Sequence, residues 1–212
     1  MYITWLGQSC FKIQTKDATV ITDPYDPKLG LKLPRLTADV VTVSHDHYDH
    51  NNVGAVAGEP FIVDNPGEYE IKGIAIRGIT SWHDDRDGAE RGVNTIFTID
   101  AEEMRIAHLG DLGAMLTDTQ LEHLDHVDIL MIPVGGTYTI DAETAAKVVN
   151  EIEPRIIIPM HYRITGLKEV KLAGVDAFCK EMGVTPNGSL EKLRLTKKEL
   201  PVEDSQVIIL KP

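Results

Sequence analysis

Cysteine is scarce in this sequence, and basic residues are fewer than acidic ones. The 212 residues contain two cysteines, Cys10 and Cys179, which stand in apolar surroundings and form no spacing motif. A disulfide framework or a cysteine-based metal site is therefore not expected, and the reducing cytoplasm is the predicted location. The 21 basic and 33 acidic residues give a net charge of -12, which argues against a surface that attracts nucleic acid non-specifically.

Long apolar runs are also missing. No stretch of the sequence approaches the roughly 20 apolar residues that a membrane-spanning helix needs. The first residues, "MYITWLGQSCFKI", lack a basic segment followed by an apolar one, so they predict a first strand and not a signal peptide. The expected partner is a small-molecule substrate, with no nucleic acid and no membrane span, and the composition predicts no particular oligomeric state.

The sequence does contain enough apolar residues for one substantial core. Hydrophobic residues make up 42% and charged residues 25%, which are usual values for a globular protein. Short segments with strand character dominate the first half. In the second half, apolar strands alternate with helical patterns, and the last helix is predicted over residues 168–182. Two facing sheets with helices outside would bury all the apolar faces. We therefore predict one α/β domain over residues 1–212.

The densest cluster of ligating side chains is "TVSHDHYDHNN", at residues 42–52. It begins at the end of the apolar run "ADVVTV", residues 38–43, and contains His45, His47, Asp49 and His50. In an extended segment His45 and His47 project to the same side, whereas Asp49 and His50 come after the chain turns. Imidazole and carboxylate groups that approach from two sides suit a pair of divalent ions. The cluster therefore predicts a metal site with these four side chains as ligands.

One loop rarely fills two coordination shells, so further ligands are expected at other strand ends. His83, Asp111 and His161 each lie one to a few residues beyond a predicted apolar strand, which is where α/β folds build their sites. His108 lies three residues before Asp111. An odd separation along a strand places the two side chains on opposite faces, although Gly110 permits a bend between them.

These motifs, taken in order, resemble the metallo-β-lactamase superfamily of metal-dependent hydrolases. The five motifs are Asp23 in "VITDP", the HxHxDH run "HDHYDH", His83, Asp111 in "HLGDL" and His161 in "PMHY". The resemblance covers nearly the whole chain. It implies a four-layer αββα sandwich with the site at one edge of the two sheets. The segments "NPGEYEIKGIAI" and "IPVGGTYTID" further resemble a small branch near the ascorbate-6-phosphate lactonase and the N-acylphosphatidylethanolamine phospholipase.

The resemblance also implies a role for each motif residue. Three imidazoles would hold one ion: His45, His47 and His83. Three side chains would hold the other ion: Asp49, His50 and His161. Asp111 would bridge the two ions, and Asp23 would be a buried brace that hydrogen-bonds the metal loop. His108 would be left to packing or to a supporting hydrogen bond. We expect two divalent metal ions, zinc by preference, with manganese or iron as alternatives.

The expected pair of ions suits a hydrolytic reaction. The ions would lower the pKa of bound water towards ~7 and polarise a carbonyl or phosphoryl oxygen. We expect a metal-dependent hydrolase that uses a metal-bound hydroxide on a small, anionic ester, lactone or phosphodiester, with Asp49 as the catalytic proton shuttle. Several aromatic and arginine residues near the motifs could line a pocket: Tyr25, Trp82, Arg86, Arg91, Tyr138, Tyr162 and Arg163. The polar residues 83–92 form either a loop over the site or a solvated turn.

Two alternatives remain open on the same fold. Flavodiiron-type redox proteins share it, but that family has a glutamate where His47 stands here. An imidazole at this position favours zinc-type hydrolysis over redox iron. The other alternative is a non-catalytic metal-binding module that has kept the fold. Such modules usually lack ligands, whereas this sequence carries the full set.

Overall fold

A computed structural model describes residues 1–168, 171–186 and 188–212. In these residues the strands are β1 Tyr2–Gly7, β2 Cys10–Gln14, β3 Thr19–Thr22, β4 Leu36–Thr37, β5 Val40–Thr42, β6 Val56–Ala57, β7 Phe61–Val63, β8 Gly67–Ile71, β9 Ile74–Trp82, β10 Val93–Ala101, β11 Met104–His108, β12 Ile129–Pro133, β13 Ile156–Met160, β14 Leu193–Arg194 and β15 Gln206–Val207. The α-helices are α1 Asp118–His123, α2 Ala142–Ile152 and α3 Val175–Glu181. Short 3-10 turns lie at Pro27–Leu29, Val53–Ala55 and Lys197–Glu199. No helix among the described residues has the length and apolar character needed to cross a membrane.

Most strands belong to two mixed sheets. The first sheet has the order β14-β1-β2-β3-β5-β7, and the second has the order β15-β13-β12-β11-β10-β9-β8. In the first sheet β3, β5 and β7 are parallel. In the second sheet β8 to β11 form an antiparallel meander, and β11, β12, β13 and β15 run parallel. Parallel neighbours end on the same side, so the loops after these strands gather at one edge of the sheets.

A hydrophobic cluster joins the two sheets. It contains Trp5 and Phe11 of the first sheet and Phe97 and Ile106 of the second, all of which are almost fully buried. Strands β12 and β13 are buried on both faces, because the parallel crossover between them carries α2 back over the sheet. The apolar side of α2, including Val148, joins the same cluster. The α/β sandwich predicted from the sequence is thereby confirmed.

The outer face of the first sheet is covered mainly by the loop at residues 24–38. Side chains alternate along a strand, and those that point away from the main cluster form a second one. This cluster joins Ile21 and Val41 of the strands to Tyr25, Leu29 and Leu36 of the loop. The loop thus takes the position of an outer layer and fixes the chain that leads into β5.

The last predicted helix is shorter than expected. The apolar pattern predicted a helix over residues 168–182, but α3 begins at Val175, while residues 169 and 170 lie outside the described part of the chain. The backbone of Ala173 explains the late start. Its N–H donates to the Gly135 carbonyl at 2.9 Å, and its carbonyl accepts from the Arg163 N–H at 2.8 Å. These bonds to neighbouring loops take the place of the first helical turns.

Candidate metal centre

The predicted ligands all follow the ends of strands. The loop after β5 carries His45, His47, Asp49 and His50, and single ligands follow β9, β11 and β13: His83, Asp111 and His161. Their ligand atoms come together in three overlapping groups within 4.8 Å: His45, His47 and His83; His45, His50 and Asp111; Asp49, His50 and His161. The fold therefore gathers side chains that are up to 116 positions apart (His45 to His161) at one edge of the two sheets.

Asp111 lies at the centre of this arrangement. Its Oδ2 atom is 3.2 Å from His50 Nε2, 3.4 Å from His83 Nε2 and 3.2 Å from His161 Nε2. Its other oxygen accepts a hydrogen bond from Ser9 Oγ at 3.4 Å. One carboxylate oxygen thus faces histidines from both of the ligand sets that the family resemblance implied.

The centre contains buried negative charge that the protein alone balances only in part. Burial raises the pKa of Asp111, but His161 and His50 outweigh it and hold that pKa well below its usual range. Burial also opposes ionisation of Asp49, yet the adjacent His50 ring lowers the pKa of Asp49 to about 2. Burial lowers the pKa of His45 to about 3, so this ring is neutral. Burial lowers the pKa of His50, but Asp111 outweighs it and raises that pKa well above its usual range. His50 therefore balances part of the buried carboxylate charge, and a bound cation would balance more of it.

The histidine rings themselves fit metal ions. Two buried ring nitrogens that face the centre lack a hydrogen-bond partner: His45 Nε2 and His50 Nε2. On the outer side, Ser44 Oγ lies 2.9 Å from His45 Nδ1. This contact leaves His45 Nε2 facing the centre with a free lone pair, as metal-ligating histidines need. A buried polar atom without a partner costs roughly 1–3 kcal/mol, so divalent ions would satisfy what the chain leaves open.

Asp23 forms hydrogen bonds with the metal loop, the loop after β5 that carries His45 and His50. Its carboxylate accepts hydrogen bonds from Ser44 N at 2.8 Å and from Ser44 Oγ at 2.7 Å. Its Oδ2 also lies 3.0 Å from His50 Nδ1, which directs His50 Nε2 towards the centre. Asp23 is fully buried and has a φ of 38°, in the left-handed region that residues other than glycine seldom adopt. Its geometry agrees with the brace that the family resemblance implied.

Comparison with known proteins identifies the family. Residues 2–161 match the family model described as a beta-lactamase superfamily domain. A Thermotoga maritima structure, described as a Zn-dependent hydrolase of the metallo-β-lactamase superfamily, is 35% identical, with a TM-score of 0.79 over 99% of this chain and 97% of that chain. This chain belongs to the metallo-β-lactamase superfamily.

Curated relatives within the superfamily carry the name UPF0173 metal-dependent hydrolase. The Methanopyrus kandleri relative is 28% identical over 193 residues, covering 76% of this chain and 84% of its own length. The Thermoplasma acidophilum relative is 31% identical over 186 residues, covering 76% of this chain and 82% of its own. The superfamily and the enzyme class predicted from the sequence, a metal-dependent hydrolase, are confirmed. The finer resemblance to the lactonase branch stays a prediction.

His108 lies behind the candidate metal centre and is not part of it. Its Nε2 atom is 2.8 Å from the Ser9 carbonyl, and its Nδ1 atom accepts from Gly110 N at 3.3 Å. Gly110 has a φ of 56°, and a Cβ there would lie 2.3 Å from Asn94 Oδ1. The bend that only glycine fits turns Asp111 towards the centre and leaves His108 among backbone groups.

Three polar residues that the sequence motifs did not include also touch the ligands: Gln8, Ser9 and Asn94. The amide nitrogen of Gln8 donates to Asp49 Oδ2 at 3.0 Å and lies 2.6 Å from His161 Nε2. Asn94 Oδ1 accepts from the Asp111 backbone N–H at 2.9 Å. The spacing of these residues did not indicate a place in the site, because a polar pair in a turn, or an asparagine in a strand, usually faces solvent. Only the packing of the turn and of β10 against the centre identifies them.

A cavity of about 640 Å³ opens beside the candidate metal ligands. Its further lining includes Tyr48, Arg91, Tyr138 and Lys168. The Arg91 guanidinium lies 5.8 Å from the centre of the Tyr138 ring, so two of the pocket residues suggested by the sequence do border the cavity. Tyr25, another of that set, is buried in the second apolar cluster instead.

The segment after His83 forms a loop along this cavity. Asp84 holds the loop together by accepting hydrogen bonds at 2.7–3.0 Å from the backbone N–H groups of four residues: Arg86, Gly88, Glu90 and Arg91. Burial opposes its ionisation, but these donors lower the pKa of Asp84 to about 2. Because Glu90 and Arg91 line the cavity, the segment is a loop at the site.

Proposed function

We propose that this chain binds two divalent ions and hydrolyses a small anionic ester, lactone or phosphodiester. Residues 1–212 would act as one domain. The first ion would be held by His45, His47 and His83. The second ion would be held by Asp49, His50 and His161. The observation that supports a pair of ions is Asp111 Oδ2, which lies within 3.4 Å of histidine nitrogens from both sets.

Zinc is the proposed metal, with manganese and iron as alternatives. Imidazole and carboxylate ligands suit zinc, and the Thermotoga maritima relative is described as zinc-dependent. When bound, the two ions would lower the pKa of a shared water molecule towards ~7 and polarise the bond under attack. The two free cysteines are buried, which agrees with the proposed location in the reducing cytoplasm.

Asp49 is the proposed proton shuttle. It lines the cavity, and its side chain is 17% exposed, whereas that of His50 is fully buried. One carboxylate can therefore reach both the ion and a substrate. Gln8 and His50 hold Asp49 Oδ2 at 3.0 Å and 3.5 Å. Asp49 is ionised at neutral pH, so its carboxylate could accept a proton from the attacking water and return it to the leaving group.

The charge of the cavity supports an anionic substrate. Four carboxylates and two cationic side chains line it: Asp46, Asp49, Glu90, Asp111, Arg91 and Lys168. The lining is negative as the chain provides it, and two divalent ions would reverse its sign. A cavity of about 640 Å³ also lies in the range that holds small molecules. A small anion is therefore the proposed substrate.

Metal analysis combined with a hydrolase screen tests this function. The screen covers p-nitrophenyl phosphodiesters, lactones and thioesters, and oxygen consumption is measured in parallel for the redox alternative. We expect two ions per chain and hydrolysis of at least one anionic substrate. Asp49→Asn should lower turnover by roughly 10²–10⁴-fold, whereas the exposed Asp85→Asn should leave it unchanged. A fully active Asp49→Asn protein would remove Asp49 from the mechanism.

A further inference from the structure

The turn of the first hairpin reaches into the metal centre. Strands β1 and β2 pair as far as Gly7 and Cys10, which leaves Gln8 and Ser9 as the two turn residues. Turns usually lie in solvent, but Gln8 is 1% exposed and Ser9 is 0% exposed. Gln8 also has a φ of 52°, and residues with a Cβ adopt this conformation at an energetic cost. A buried polar side chain in such a conformation points to a task in the site.

Hydrogen bonding alone does not account for the surroundings of the Gln8 amide. Its nitrogen lies 3.0 Å from Asp49 Oδ2 and 2.6 Å from His161 Nε2, while its oxygen is buried without a partner. Hydrogen bonds from N–H groups usually measure about 2.7–3.2 Å, so the contact between the two nitrogens is short. His161 Nε2 also lies 3.2 Å from Asp111 Oδ2, and is therefore the ring atom that would bind the ion.

A half-turn of the Gln8 amide exchanges its nitrogen and oxygen. The carbonyl oxygen then takes the position beside Asp49 Oδ2 and His161 Nε2. Without an ion, two oxygens and a ring lone pair would repel one another there. With a cation among them, all three become co-ligands. We propose, resting on the two-metal function above, that Gln8 Oε1 is a further ligand of the second ion.

This assignment gives the two ions different surroundings. The first ion would face three imidazoles and one oxygen of Asp111. The second ion would face the rings of His50 and His161 and the oxygens of Asp49, Gln8 and Asp111. Carboxylate and carbonyl oxygens suit harder ions such as Mn²⁺. The second position is therefore the one where manganese competes best with zinc.

The variant Gln8→Gly tests the assignment, because glycine adopts a φ of 52° without strain. The protein is stripped of metal and titrated with Co²⁺, while binding and visible absorption are recorded for each equivalent. The second equivalent should bind about 10-fold or more weakly than in the wild type, with altered absorption bands because the ion loses a ligand. The first equivalent should keep its affinity and spectrum. Gln14→Ala, in strand β2 of the same hairpin, should match the wild type.

Other outcomes would overturn the assignment. An unchanged affinity and spectrum in Gln8→Gly would exclude Gln8 as a ligand. A weaker affinity with an unchanged spectrum would also exclude it, since Gln8 would then act only through its hydrogen bond to Asp49. Gln8→Asn is the second variant should Gln8→Gly fail to fold, because asparagine tolerates the left-handed region and its amide is too short. A wild-type protein that binds fewer than two ions would refute the proposed function instead.

Discussion

Replacing Asp23 by alanine tests how the fold holds the metal loop. The carboxylate is buried, accepts from Ser44 N and Ser44 Oγ, and lies 3.0 Å from His50 Nδ1. The Ser44 hydroxyl has a second partner in His45 Nδ1 at 2.9 Å. Asp23→Ala therefore orphans two buried N–H groups, those of Ser44 and His50. At roughly 1–3 kcal/mol for each orphaned donor, the free energy of unfolding should fall by roughly 2–6 kcal/mol.

Urea unfolding of the metal-free protein measures this loss, and competition with a chelator measures metal affinity. The second ion should bind roughly 10–100-fold more weakly, because His50 loses the group that directs its Nε2 atom. Asp23→Asn is the matched variant. It can still accept from Ser44 but offers no charge to His50, so it should keep more stability than Asp23→Ala and still lose metal affinity. An Asp23→Ala protein with unchanged metal affinity would refute the reasoning, since Asp23 would then support only the fold.

The remaining predictions concern the metals, His108 and the loop. Chelation should lower the melting temperature, because ions that bind only the folded state stabilise it; unchanged melting after verified metal removal would contradict this. His108→Ala should keep both metals, whereas Asp111→Ala should lose at least one, as measured by metal-to-protein ratios. The pKa of Asp84 is about 2 in the folded chain and about 3.9 when unfolded. Its stabilisation is therefore present above pH ~4 and lost towards pH ~2, and Asp84→Asn should flatten that part of the urea-measured stability curve.

The set of candidate ligands could be predicted because its signals are local. The ligands from His45 to His50 stand in one short run, and single ligands beyond strand ends mark the edge where such folds build sites. The strand alternation expected for His45 and His47 does not apply, because β5 ends at Thr42 and the His47 N–H donates to the His45 carbonyl at 3.1 Å. The odd spacing of His108 and Asp111 did not separate them by itself, because a bend at Gly110 was possible, and the family resemblance favoured a supporting role for His108. The bend at Gly110 needed the structure, because it depends on how closely Asn94 approaches.

Other features were decided by contacts between distant segments. Gln8 has the sequence context of a surface turn, and only the burial of that turn against Asp49 and His161 places it in the site. The helical pattern over residues 168–182 was overridden by the hydrogen bonds of Ala173 to two neighbouring loops. Local periodicity reflects the helical propensity of the segment itself, whereas these hydrogen bonds depend on the loops that pack against it.

The origin of the ligands in both sheets has a mechanical consequence. Four of them follow β5 of the first sheet, and three follow β9, β11 and β13 of the second. Ions held between these groups would cross-link the two layers at one edge, so that neither layer could slide without breaking a ligand bond. Amide hydrogen exchange should then slow at the strand ends around the centre when metal is added, and change least at the far edge. The ions would thus set how independently the two layers open.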